Sequence, residues 1–193
     1  MIRRLRHARD GVTAVEFALL APFLLVTVLG LFDMGFNVYA QTMLQGAVQE
    51  AARSSTVKSA AGNLTDIDTL VTDAVKDVIP DATMSFARQS YANFTDVGLP
   101  EDYTDTDGDG ACDNGEPYED ANDNGSWDAD RGSAGLGGAR DAVLYTVTAT
   151  YPRLFPMAGL IGLPETVTMK ATTVLRNQPY QAQAVHGKIR NCP

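Results

Sequence analysis

Two histidines and two cysteines in 193 residues leave little material for the commonest catalytic and metal chemistries. His7 and His186 stand near opposite ends, so no zinc-type histidine spacing exists. No Ser or Cys lies in a nucleophile motif, and no glycine-rich phosphate loop follows a strand-like run; the chain is expected not to be an enzyme. Basic side chains are scarce as well, 15 Lys and Arg against 24 Asp and Glu, for a net charge of −9. Without a sustained basic stripe, nucleic acid is not an expected partner. The shortfall is uneven. Residues 101–130 hold 12 of the 24 acidic side chains and no Lys or Arg, so the remainder, 15 basic against 12 acidic, sums to +3. Such a block points either to a bound cation or to a solvated, disordered loop.

What is present at the N-terminus is one long apolar run. Arg3, Arg4, Arg6 and Arg9 precede it, and from Val12 to Phe32 Glu16 is the only charge in 21 residues. At 1.5 Å per residue that is about enough to span the hydrocarbon of a bilayer. The next basic residue is Arg53, so the positive-inside rule predicts one pass with the N-terminus cytoplasmic. Three readings compete: a plain signal anchor, a conventional secretory leader cut after "VYA" (38–40), and a short basic leader ending at Gly11. The secretory reading needs an apolar region about twice the usual length and leaves Asp33 and Asn37 before the cut. Glu16 needs its own explanation, because a charge at the bilayer centre costs roughly 2.5–3.5 kcal/mol on insertion scales. It either snorkels to the cytoplasmic interface or has a partner.

"GVTAVEFALLAPFLL" (11–25) places Glu16 fifth after Gly11, followed by Phe17 and an uninterrupted apolar stretch. This arrangement resembles type IV pilins and pseudopilins, and most closely the TadE-like pseudopilins of the tight-adherence (Flp, type IVc) pilus system. The resemblance is close over residues 1–55, and "TTVLRNQP" (172–179) is similar to that family's C-terminal end. It implies a leader, 1–11, removed after Gly11 by a prepilin peptidase on the cytoplasmic face, with Val12 as the new N-terminus. It also implies that the Val12 amine of one subunit neutralises Glu16 of its neighbour. A displaced register would then leave an unpaired ion in a low-dielectric environment. The implied partners are other pilin or pseudopilin subunits, the peptidase, the inner membrane and its pilus assembly platform.

The helix is expected to continue beyond the membrane segment (12–32) through residues 33–55. Phe36, Tyr39, Ala40, Met43, Leu44, Ala47, Val48 and Ala51 recur at helical spacing, with Asn37, Gln41, Gln45, Gln49 and Arg53 opposite. That stripe packs either on the globular part or on a neighbouring subunit's helix; Gly30, Gly35 and Gly46 would permit close helix approach. Residues 63–193 read as a small periplasmic α+β domain. A second helix over 65–79 is capped by Thr65, buries Ile67, Leu70, Val71, Ala74, Val75 and Val78, and stops at Pro80. "MSFARQSY" (84–91) is a weak strand signal. "AVLYTVTATY" (142–151) and "TVTMKATTVLR" (166–176) alternate cleanly, predicting an antiparallel sheet packed on the helices. The apolar loop 152–165 is expected to fold under the sheet, with a partner or membrane contact as the alternative.

The acidic insert, 101–131, contains a regular pattern. In "DTDGDGACDNGE" (105–116), Asp105, Asp107, Asp109, the Ala111 carbonyl, Asp113 and Glu116 fall at positions 1, 3, 5, 7, 9 and 12 of a twelve-residue calcium loop, with Gly110 at the turn. Fifteen residues on, Asp120, Asn122, Asn124, Gly125, Ser126 and Asp128 repeat it, but Arg131 stands where the bidentate acid belongs and Asp130 comes one place early. The second site is expected to be weaker, or to close with a ligand from elsewhere. No helical pattern flanks either loop, so the pair looks more like the tandem calcium repeats of dockerins and thrombospondin type 3 segments than an EF-hand pair. Calcium is the expected cofactor. Cys112 and Cys192 predict one disulfide on the non-cytoplasmic side, with free thiols or pairing between subunits as alternatives. Asn63 and Asn93 fall in glycosylation-type triplets, which are common by chance. Two functions from different classes are therefore carried forward: a TadE-like minor pseudopilin, and an uncut, membrane-anchored, calcium-dependent binding or adhesion module.

Overall fold

The computed structural model describes residues 11–57, 64–155, 159, 162–176 and 187–193. The basic leader before Gly11, Asn63, His186, residues 177–179 of the C-terminal "TTVLRNQP" stretch, and 156–158 and 160–161 of the apolar loop lie outside them.

The apolar run and its amphipathic continuation form one helix, α1 (Val12–Val57), whose 46 residues rise about 70 Å. Gly11 opens it, accepting the Val15 N–H at 3.1 Å. Pro22 interrupts the hydrogen-bond ladder inside the apolar half, a defect that membrane helices tolerate. The Thr27 hydroxyl donates to the Phe23 carbonyl at 2.9 Å, so its polar group is satisfied within the helix. The second helix, α2 (Leu64–Lys76), continues as a turn in which the Ile79 N–H donates to the Val75 carbonyl. Because α2 begins at Leu64, Thr65 lies inside its first turn and is not the residue that precedes it, contrary to the capping pattern.

Four strands form an antiparallel sheet in the order β3–β1–β4–β5: β1 (Thr83–Tyr91), β3 (Ser133–Ala134), β4 (Ala142–Pro152) and β5 (Thr166–Arg176). Between β1 and β3 lies β2 (Pro117–Asp120), which pairs with β6 (Lys188–Asn191) in a separate two-stranded ribbon. The molecule is thus α+β, as the periodicities imply. The strands β2, β3 and β6 have only two to four residues, too few for alternation to announce them.

Register explains the alternating threonines. Phe86, Val147 and Ala171 face one another across β1, β4 and β5, as do Met84, Ala149 and Met169, all on the helix-covered face. Val143, Tyr145, Val147, Ala149 and Tyr151 are all buried, whereas the threonines between them face the other side. Against this face pack Ala40, Leu44, Ala47, Val48 and Ala51 of α1 and Val71 and Val75 of α2. Two sequence assignments need correction. Tyr39 is half exposed, and Asn37 and Gln41, expected on the polar side, instead touch the sheet: Asn37 accepts the Tyr151 hydroxyl at 2.6 Å and Gln41 donates to the Lys170 carbonyl at 3.1 Å. The docking face is rotated by hydrogen bonds that hydropathy does not count.

The sheet also carries a polar cluster. Asp68 of α2 accepts hydrogen bonds from Arg88 (2.5 Å) and the Tyr145 hydroxyl (2.6 Å), and the Arg88 guanidinium lies over the Tyr145 ring. Burial and the Asp68 carboxylate hold the Tyr145 phenol far above its usual range. Leu44 is the largest fully buried α1 side chain in this core, so Leu44→Ala is expected to destabilise the domain by about 2–5 kcal/mol. Urea unfolding measures this; an unchanged midpoint would mean that α1 is not docked on the sheet.

Candidate functional site

The acidic insert folds into a lobe built on the β2–β6 ribbon, with one twelve-residue loop on each side of β2. In the first, Asp105 accepts the N–H groups of Gly108 (2.6 Å) and Gly110 (3.1 Å). Asp107 accepts that of Asp109, and Asp109 accepts that of Ala111. Each short side chain thus ties the backbone two to five residues ahead, winding the loop so that the carboxylates of Asp105, Asp107 and Asp109 converge within 4.8 Å. Gly110 supplies the turn at φ +81°. At the end of the loop Glu116 is buried. Its Oε1 accepts the N–H and the hydroxyl of Thr106, between the first two aspartates, while its Oε2 is buried with no hydrogen-bond partner among the described residues. The Oδ1 atom of Asp113 is likewise buried and unpartnered. Burial, then the neighbouring Asp109, Asp107, Glu116 and Asp105, push the Asp113 carboxyl above its ordinary range. The Thr106 N–H is the main reason Glu116 is held below its own.

The second loop repeats this wiring. Asp120 accepts the N–H groups of Asn124 and Gly125, Asn122 accepts that of Asn124, and Asn124 accepts that of Ser126; Gly125 turns at φ +84°. Its charge balance differs. Asp120 is fully buried and ion-paired with Arg190 of β6. Asp123 accepts hydrogen bonds from Lys188 and Arg190, which hold its carboxyl below the usual range. The amides of Asn122 and Asn124 both donate to Asp128. Arg131 does not enter the loop but pairs with Asp102 at 2.8 Å, and Asp130 turns toward β1, accepting from Tyr91. That acceptor and burial together push the Tyr91 phenol up to about 12. The place left by Arg131 is taken by Glu101, which is buried and accepts the N–H of Ala121 at 2.8 Å, as Glu116 accepts that of Thr106. Its other oxygen accepts the Asp128 N–H. Burial keeps this carboxyl above its ordinary range. Sequence reading missed Glu101. The available signal was its spacing, fifteen residues before Glu116 and equal to the loop period.

Cys112, inside the first loop, is disulfide-bonded to Cys192, and the Cys192 N–H donates to the Glu116 carbonyl at 2.8 Å. The lobe and the C-terminal ribbon are thereby locked together.

At the other end of the molecule, the apolar half of α1 stands free. Phe17, Leu19, Leu20 and Phe23 are exposed, and among the described residues α1 is the only helix long and apolar enough to cross a membrane. Glu16 is exposed one turn beyond Val12, on the same helix face, and no basic side chain pairs with it among the described residues. Gly11 sits in open space immediately before the helix. Residues 11–53 match the family model of TadE-like proteins. This stretch is TadE-like. No curated protein and no solved structure matches the chain. The TadE-like match implies a role in assembly of the Tad pilus, and it runs from the turn before α1 almost to the end of that helix. The acidic lobe lies outside it.

The TadE-like helix meets the domain at a polar joint placed where its apolar run ends. Asp33, the first charge after the run, forms an ion pair with Arg153 at the end of β4 and accepts from Asn37. Phe32 and Phe36 add ring contacts to Phe155 and Tyr151. The described part of the apolar loop therefore lies beside the helix exit rather than beneath the sheet, and Leu154 and Leu163 are exposed there. This corrects the expectation from composition for the described part of the loop; residues 156–158 and 160–161 lie outside it.

Proposed function

We propose that the chain is a minor pseudopilin that helps assemble an adhesive tight-adherence (Flp) pilus through contacts between membrane helices. The observation that carries this reading is the start of α1. Gly11 lies in open space, the helix begins at Val12, and one turn later an exposed carboxylate, without a basic partner among the described residues, stands on an otherwise apolar surface inside the TadE-like match. Cleavage after Gly11 by prepilin peptidase creates an amine on the Glu16 face of the helix. In an assembly, that amine on one subunit neutralises Glu16 on the next, so that apolar helix packing supplies cohesion and the charge pair sets register. The protein sits in the inner membrane with its N-terminus cytoplasmic and its domain periplasmic. The Asp33–Arg153 joint holds the domain close to the membrane surface, where Leu154 and Leu163 face the interfacial zone.

Intact-mass measurement of protein purified from cells bearing the pilus machinery is the direct check. A mass starting at Val12 is expected. A chain that retains Met1 removes the processing step and favours the uncut, calcium-dependent binding module instead.

A further inference from the structure

The first acidic loop is left unexplained by a role in helix assembly, and it differs from its repeat in one decisive respect. The second loop carries its own counter-charges, Arg190 and Lys188 on Asp120 and Asp123; asparagine amides donate to an aspartate in both loops, Asn122 and Asn124 to Asp128 and Asn114 to Asp107. Among the described residues no cationic side chain pairs with Asp105, Asp107, Asp109, Asp113 or Glu116. Three of these carboxylates converge within 4.8 Å. Glu116 is only 2 % exposed and is fixed against Thr106, inside the loop, by one oxygen. Its other oxygen, and one of Asp113, are buried with no hydrogen-bond partner among the described residues. A buried carboxylate oxygen without a donor is expensive, and a fold that builds two of them beside a converged aspartate cluster has left out the group that satisfies them.

We propose that the loop 105–116 is the tightest calcium site of this protein. Asp105, Asp107, Asp109, the Ala111 carbonyl and Asp113 each give an oxygen, and Glu116 gives its unpartnered Oε2 together with the oxygen that Thr106 now holds. Seven oxygens on a flexible loop suit calcium; magnesium demands a smaller octahedron and keeps most of its water. Five carboxylates in one loop set the sign of the ligand, and the absence of nitrogen or sulfur donors selects a hard cation. The proposal does not depend on the pilus reading.

The test uses the full chain in detergent micelles, stripped with EGTA. Terbium is the probe, because Tyr103 lies within electrostatic reach of Asp105 and Glu116 and packs edge-on against Trp127, placing two sensitising rings beside the loop. Sensitised emission displaced by calcium, with half-displacement at a calcium concentration of roughly 0.1–1 mM, is expected. Glu116→Gln and Asp107→Asn should each weaken the tightest event by about tenfold or more, and Asp128→Asn in the second loop should leave it in place. Asp107 is exposed, so its variant keeps the test valid if Glu116→Gln fails to fold. Unchanged binding in both first-loop variants, loss of the tightest event in Asp128→Asn alone, or equal displacement by magnesium would each overturn the assignment.

Discussion

Glu16→Ala and Glu16→Gln are expected to reduce surface pili by about a hundredfold while leaving membrane levels of the protein unchanged. The estimate follows from the partner rather than from Glu16 itself. In the proposed assembly the Val12 amine of one subunit is desolvated against Glu16 of the next, and removing one member of such a pair leaves the other buried and uncompensated, at roughly 3–5 kcal/mol. At 1.4 kcal/mol per factor of ten, even the lower figure moves the pairing equilibrium by about two orders of magnitude. The glutamine variant separates charge from shape, since it keeps the length and polarity of the side chain. A carboxylate that merely snorkels to the interface predicts the reverse, because its removal makes the helix more apolar and insertion easier. Pilus counts by electron microscopy decide between them: wild-type numbers of filaments in Glu16→Gln would falsify the pairing.

The second large effect belongs to the disulfide. Cys112→Ser with Cys192→Ser is expected to lower the stability of the C-terminal domain by about 4–5 kcal/mol, because the bridge closes a loop with a sequence separation of 80 residues. That is a large share of the ~5–15 kcal/mol by which an ordinary domain is stable. The consequence should be concentrated in the lobe. Among the described residues, the two short strands of the β2–β6 ribbon, the backbone hydrogen bond from Cys192 to Glu116 and a few ion pairs otherwise hold the C-terminal segment, and Arg190 is the cation that neutralises buried Asp120. Releasing Cys192 therefore also threatens the charge balance of the second loop. Urea unfolding followed by far-UV circular dichroism reads the whole effect, and Trp127 fluorescence reads the lobe. If the double variant unfolds at the wild-type midpoint, the bridge has no stabilising part to play. A count of two free thiols in denatured, unreduced protein would show that it does not form.

Much of this molecule is legible in its sequence. The apolar run with one glutamate, the amphipathic continuation and the alternation of β4 all reflect burial, and burial leaves a period in the sequence. The loop motif was legible for a different reason: ligand spacing is dictated by the turn of a short backbone segment, so it is wholly local. Where the packed faces departed from expectation, the cause was a specific polar contact. Asn37 and Gln41 joined the packed face because Tyr151 and Lys170 offered partners, and the described start of the apolar loop lies at the helix exit, where Arg153 reaches Asp33.

The amino-acid sequence alone determined the long apolar helix, the class of the fold and the two repeated loops, since each is a pattern within neighbouring residues. Only the tertiary structure decided that Glu101 closes the second loop, that Arg190 and Lys188 neutralise it, and that the first loop is left with buried, unpartnered oxygens. Those are questions of charge compensation and hydrogen bonding between segments 20 residues apart, at Glu101 and Ala121, or 67 apart, at Asp123 and Arg190, and electrostatic balance in a folded lobe depends on distance in space.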